Sequence, residues 1–176
     1  MFVRVKQLAK EKFAVYGFQL EIPPEWRVEM NPKTTREKGD VVFHSQKGNR
    51  FFVSWGALEE ATKRFQSLEE HRDKSVNQIK RGPDVNSIEV SDQREEIICG
   101  HKALVTHVSA TIKSGFVSKN VAQRDIWSIH LYCPNTARYY VIYSMQRDSE
   151  EYPDFSGVFD NLTKTFMCHP RLEDTF

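Results

Sequence analysis

The chain has 176 residues and a mass of 20.6 kDa, with 25 Lys and Arg against 24 Asp and Glu, so it has the size of one ordinary domain and almost no net charge. That balance argues against a strongly basic nucleic-acid binder and against an acidic disordered tail. A composition 39% hydrophobic and 12% aromatic is globular, and a domain this long buries roughly 70% of its unfolded surface without needing disulfides or a structural metal.

The first ten residues, MFVRVKQLAK, break their apolar positions with Arg4, Lys6 and Lys10, so no export signal is expected there. Phe18, Leu20 and Ile22 alternate onto one face of a strand that Pro23 and Pro24 end, because proline cannot donate to a ladder. Lys10 to Lys12 is the expected turn of this opening hairpin. Trp26, Val28 and Met30 resume the alternation, and NPKTTREKGD reads as a loop. VVFHS and RFFVSWG, joined by QKGN, form an antiparallel hairpin.

From Ser67 the period changes. Ser67 and Glu70 make an S-x-x-E capping box, and Leu68, Arg72, Val76 and Ile79 recur at helical spacing until Gly82-Pro83, which predicts a helix over Ser67 to Arg81. SIEV, EEIICG, ALVTHVSATIK, DIWSIHLYC and RYYVIYSMQ follow as β-branched and aromatic strands joined by short polar connections, hence antiparallel. Pro153 opens a last helix in which Phe155, Val158, Phe159, Leu162 and Phe166 fall on one stripe that must pack on the sheet. Strands, a helix, a run of antiparallel strands and a terminal helix define an α+β fold in one domain, residues 1–176. The longest apolar runs, such as Tyr139 to Tyr143, fall far short of the roughly 20 residues that span a bilayer.

Chemistry is harder to find. Gly48, Gly56, Gly82, Gly100 and Gly115 stand singly, so no phosphate-binding loop is present. The G-x-S-x-G elbow is missing too, and nucleophile triads assemble in space rather than at fixed spacing. Cys99, Cys133 and Cys168 are odd in number and lack C-x-x-C spacing, which fits reduced thiols in the cytoplasm better than a disulfide framework or a zinc ribbon. Cys99 and His101 flank Gly100 without being aimed at one another. His44, His71, His101, His107, His130 and His169 show no H-x-x-x-H or H-E-x-x-H spacing, so they read as separate surface or half-buried residues and no metal or cofactor is expected. A turn near Phe116 and Val117 pairs His107 with about Ile126, away from His130. The mixed-sign runs REKGD, EEHRDK and DQREE are solvated faces, and the aromatic residues serve as core.

Several segments taken in order, FQLEIPPEW, VVFHSQKGNRFFVSW, SLEEHRDKSVNQI, IICGHKALV, IWSIHLYC with RYYVIYSMQ, and FSGVFDNLTKTF, resemble the PsbP-like superfamily over about Phe18 to Phe166. The opening F-x-I-x-x-P-x-x-W pattern falls on Phe18, Ile22 or Leu20, Pro24 and Trp26, the central G-x-x-A turn on Gly100 and Ala103, and the terminal aromatic helix on Phe159 and Phe166. The resemblance implies a three-layer α/β/α arrangement around a mainly antiparallel sheet. Its members include extrinsic subunits of the photosynthetic oxygen-evolving complex, Ran-binding import factors of the Mog type, and bacterial DcrB-like and secretion-adaptor proteins. It therefore implies protein binding without catalysis.

The expectation is a non-enzymatic cytoplasmic adaptor, chaperone or accessory subunit with an unidentified protein partner, no nucleic acid and no membrane span. The alternative is a small-molecule or lipid-binding domain with an aromatic pocket on the sheet. In KSGFVSKN the apolar Phe116 and Val117 sit at a turn, either capping the sheet edge or forming a partner-binding anchor rimmed by Lys113 and Lys119.

Overall fold

The computed structural model describes residues 10–114, 120–147 and 149–169. Strands β1 (Glu11–Val15) and β2 (Phe18–Ile22) pair antiparallel, with Val15 opposite Phe18. The turn between them is Tyr16-Gly17, with φ of 48° and 91°, the two left-handed residues of a type I′ hairpin turn. The expected turn at Lys10–Lys12 is therefore corrected: Lys12 lies inside β1. A Tyr-Gly pair lacks the Asn or Asp that usually marks such a turn, which is why the sequence signal was weak.

Strands β3 (Arg27–Met30), β4 (Gly39–His44), β5 (Arg50–Ala57), β6 (Val85–Ile98), β7 (His101–Ser114), β8 (Asn120–Cys133) and β9 (Arg138–Met145) form a seven-stranded antiparallel sheet in the order β3-β4-β5-β9-β8-β7-β6. Gly39 and Asp40, read as loop, start β4. SIEV and EEIICG, read as two strands, are one 14-residue strand, β6, in which the register slips between Val90 and Asp92. The polar residues between them mark a bulge, not a turn.

The helices are α1 (Leu58–Arg64), which no expected element covers, and α2 (Leu68–Lys80) and α3 (Phe155–Lys164), which match the two expected helices. Ser67 caps α2, its hydroxyl accepting from the Glu70 amide at 3.1 Å, while the Glu70 carboxylate accepts from the Gln66 amide. Asp154, not Pro153, begins α3: its carboxylate accepts from the Gly157 amide at 3.0 Å, so Pro153 lies outside the first turn. Phe166 lies just past the helix end and is nevertheless buried.

The layers follow from strand alternation. On one face of the sheet, Val41, Phe43, Phe51, Val53, Tyr140 and Ile142 pack against Phe18, Leu20 and Ile22 of β2 and Phe155, Phe159 and Leu162 of α3. On the other, Val108, Ala110 and Ile126 pack against Val76 and Ile79 of α2. Among the described residues, no helix is long and apolar enough to cross a membrane.

Candidate functional site

The β6–β7 hairpin turns through Cys99-Gly100, with φ of 53° and 77°, a second type I′ turn that sets Ile98 opposite His101. The turn puts His101 at the first position of β7, and antiparallel register carries Ala103 opposite Leu131, so Cys133 at the end of β8 lies beside His101. The distance from Cys133 Sγ to His101 Nε2 is 3.5 Å.

A third segment reaches the same place. After α3, Met167 makes an isolated antiparallel bridge to Gln19, with Gln19 N–H donating to Met167 O at 3.0 Å and Met167 N–H to Gln19 O at 2.8 Å. The chain then bends, and Cys168 and His169 both turn toward the β6–β7 turn. The His101 and His169 rings meet edge to face with centroids 5.4 Å apart. One ligand atom from each of His101, Cys133, Cys168 and His169 lies within 4.8 Å of the other three. The expectation that the histidines lie apart is thus corrected for His101 and His169. Their partners come from three separate segments, which spacing rules do not see.

Cys99 borders the cluster without facing His101. Its Sγ donates to Phe166 O at 3.1 Å and accepts from the Cys168 amide at 3.3 Å. Hydrogen bonding from the Cys168 thiol is the main reason that Cys99 and Cys133 both sit below the ordinary thiol range. As the donor, Cys168 is pushed up.

Of the cluster, His169 lines an open groove of about 990 Å³ between the end of β6, strand β2 and the last turn of α3, with Cys99 and Gly100 beside it. Leu20, Ile98 and Phe166 line its floor, with Lys12, Glu96 and Lys164 among its polar groups. Ile97, on its wall, is 73% exposed. Arg94 of β6 bonds to Asp92 and Glu96 and reaches Asp160 of α3 at 3.5 Å, bracing the groove between the sheet and the helix.

The remaining histidines have other company. His44 Nε2 is 3.0 Å from Glu29. His107 lies opposite Trp127, next to the expected Ile126 and away from His130, stacks on the Trp127 ring at 4.3 Å, and contacts Asp125 at 3.1 Å. His71 of α2 and His130 of β8 are both buried and meet between helix and sheet, ring centroids 5.1 Å apart, so the expectation of separate surface or half-buried histidines is corrected for them as well; His71 also stacks on Phe65 at 4.1 Å. His130 Nε2 is 2.9 Å from Ser75 Oγ, and that hydroxyl donates to His71 O at 3.0 Å, so His130 Nε2 must carry the proton. Its Nδ1 is buried and has no hydrogen-bond partner among the described residues. Burial is the first cause holding both rings low, His71 at about 4 and His130 at about 3.

Of the residues expected to bind a partner, Phe116, Val117 and Lys119 lie outside the described residues. Lys113 is exposed near the far end of β7, opposite Val121, and its amide donates to Asp84 O at 2.9 Å. It sits at the opposite end of the β6–β7 hairpin from the thiol and imidazole cluster.

No protein-family model and no curated protein sequence matches this chain. Solved structures do. Cyanobacterial PsbP (CyanoP) from Synechocystis sp. PCC 6803 is similar at 12% identity and a TM-score of 0.58, covering 95% of this chain and 96% of its own. The Ran-binding protein Mog1p of Saccharomyces cerevisiae is similar at 10% identity and a TM-score of 0.60, over 92% of this chain and 96% of its own. A Pseudomonas aeruginosa protein described as PA94, a putative regulator of unknown function, is similar at 10% identity and a TM-score of 0.51, over 92% of this chain and 99% of its own. At such identities a likeness of this extent speaks for architecture alone, and with the three layers and strand order described above it establishes that this chain has the PsbP-like fold, shared with CyanoP and Mog1p.

Proposed function

We propose that this chain is a non-enzymatic accessory or adaptor domain that binds an extended segment of a partner protein along the last residues of β6. The observation that carries the reading is the free edge of β6 beside the groove. Among the described residues no strand pairs with its outer side. From Asp92 to Ile98 its register against β7 runs without a break, whereas the earlier part carries the bulges at Val85/Ser87 and Val90/Asp92. Bulges discourage edge pairing, and an unbroken stretch favours it; Asp92, Arg94, Glu95 and Glu96 are held in ion pairs with one another, with Lys102 and with Asp160. An incoming strand there would gain backbone hydrogen bonds and a contact for Ile97, which is the chemistry of strand addition.

Mog1p, a neighbour in fold, is described as Ran-binding, which supports a protein partner in general and no particular one here. The groove is open and rimmed by charges of both signs, which suits a polypeptide better than a lipid. Neither titratable cluster favours catalysis. His71 and His130 are closed under α2, and the four cluster residues face one another.

The test is a photo-crosslinking residue placed at Ile97 and, as a control, at exposed Glu59 of α1. The reading expects a protein adduct from position 97 only, and binding of the recovered protein that Ile97→Asp weakens at least about tenfold without lowering the melting temperature. Equal crosslinking from both positions, equal binding by Ile97→Asp, or a bound lipid recovered in place of a protein overturns it.

A further inference from the structure

We propose that His101, Cys133, Cys168 and His169 form a zinc(II) site that fastens the segment following α3 to the sheet. This goes beyond the binding role above and does not depend on it.

Geometry is the first argument. A tetrahedral zinc ion with Zn–S of about 2.3 Å and Zn–N of about 2.0–2.1 Å separates its donor atoms by about 3.3 to 3.8 Å. Cys133 Sγ and His101 Nε2 are already 3.5 Å apart, and no pair in the set exceeds 4.8 Å. Closing the set around an ion requires shifts of about 1 Å, within reach of side-chain rotation at His101 and His169, which are only half-buried.

Ligand chemistry is the second. Two thiolates and two imidazoles, with no carboxylate among them, are a soft to borderline set that selects zinc over magnesium or calcium. Binding displaces to solvent any proton that the thiols still carry, and the two thiolate charges then cancel the charge of the ion. A neutral complex suits a place where Cys133 and Cys168 are fully buried beside Phe166 and Tyr140.

Supporting contacts are the third. Tyr140 Oη–H donates to Cys168 O at 3.3 Å, and Cys168 N–H donates to Cys99 Sγ at 3.3 Å. These orient the backbone that presents the Cys168 and His169 ligands, as outer partners of metal ligands do. Four protein ligands leave no open position, so the site is structural and not catalytic. Its mechanical effect is specific. It ties the start of β7, the end of β8 and the chain after α3 into one knot beside the Gln19–Met167 bridge, where the β1–β2 hairpin joins the same segment.

The test uses the full chain, reduced, stripped with a chelator and titrated with Zn²⁺ alone or with Co²⁺ as its spectroscopic stand-in. One equivalent of Zn²⁺ is expected to bind with proton release and to raise the melting temperature. Co²⁺ is expected to give the intense visible bands of a tetrahedral ion with a thiolate-to-metal charge-transfer band. His169→Ala is expected to weaken Zn²⁺ binding at least about a hundredfold, since removing a ligand exceeds the 10- to 100-fold effect of removing its outer partners. Circular dichroism checks that each variant is folded, and because His169 is half-buried its variant serves even if Cys168→Ser does not fold. The proposal is overturned if folded wild-type protein binds less than one equivalent, if Co²⁺ shows weak octahedral bands, or if His169→Ala binds Zn²⁺ as the parent does.

Discussion

Acidification from pH 7 to pH 5 is expected to cost this fold stability through two residues, His71 and His130. Both have an ordinary value of 6.5 and are held far lower in the folded chain, to about 4 and about 3, first by burial and then by positive neighbours, Arg64 for His71 and His71 and Arg72 for His130. The hydrogen bonding explains why His130 resists protonation. Its Nε2–H is committed to Ser75, and a second proton would have to go on Nδ1, which is buried with no partner among the described residues.

At pH 5 the unfolded chain therefore carries protons on both rings while the folded chain carries almost none. Each ring then favours unfolding by RT ln(1 + 10^1.5), about 2 kcal/mol, so the two together contribute about 4 kcal/mol. At pH 7 the contribution is close to nothing. The sign is that of groups with depressed folded values: stability is full above about pH 6.5 and declines as pH falls, levelling off only below the folded values. The magnitude at pH 5 is insensitive to how far below 5 those values lie. Glu69 lies beneath this window, held to about 2 chiefly by its hydrogen bond from Lys102.

Urea denaturation at pH 7 and pH 5, at fixed ionic strength and fixed metal content, measures the loss. His130→Gln keeps a donor toward Ser75 and is expected to reduce the loss by about 2 kcal/mol, and adding His71→Phe should remove about 2 kcal/mol more. If His130→Gln loses as much stability between the two pH values as the parent does, the account of a neutral buried pair is wrong.

Other perturbations test the packing. Phe159, 1% exposed between α3 and the sheet, should cost about 3 to 5 kcal/mol on truncation to Ala, and an unchanged denaturation midpoint would remove α3 from the core. Ser67→Ala should cost about 1 kcal/mol through loss of the α2 cap, read as a lower melting temperature. Gly17, at φ of 91° with no atom within 4 Å of a built Cβ, should lose about 1 to 2 kcal/mol on Gly17→Ala from backbone strain alone. A neutral result in chemical denaturation would mean that the turn relaxes to another type.

What was legible in the sequence was local. The β4–β5 hairpin, the Ser67 cap with its helix, and the stripe of α3 each rest on neighbours a few residues apart, where period and capping chemistry act directly. Helix α1 was missed because it is short and buries only Ala61. Its signal was the charge polarity of Glu59 and Glu60 at the start against Lys63 and Arg64 at the end. The cluster of His101, Cys133, Cys168 and His169 was out of reach for a different reason. A turn near Phe116 and Val117 pairs His107 with about Ile126, a reading too coarse to fix the register, and taken literally it sets His101 opposite Tyr132. The observed pairing of His107 with Trp127 is shifted by one residue, and a shift of one exchanges the faces of a strand. The difference decides whether Cys133 lies beside His101 or beyond the turn. Cys168 and His169 add a further requirement, since adjacent residues on an extended chain point to opposite sides. Only the bend after the Met167 bridge brings both inward. The site therefore depends on one strand register and one chain reversal, neither of which leaves a spacing motif, and the four ligands meet only once the sheet and the α3 layer have closed on each other.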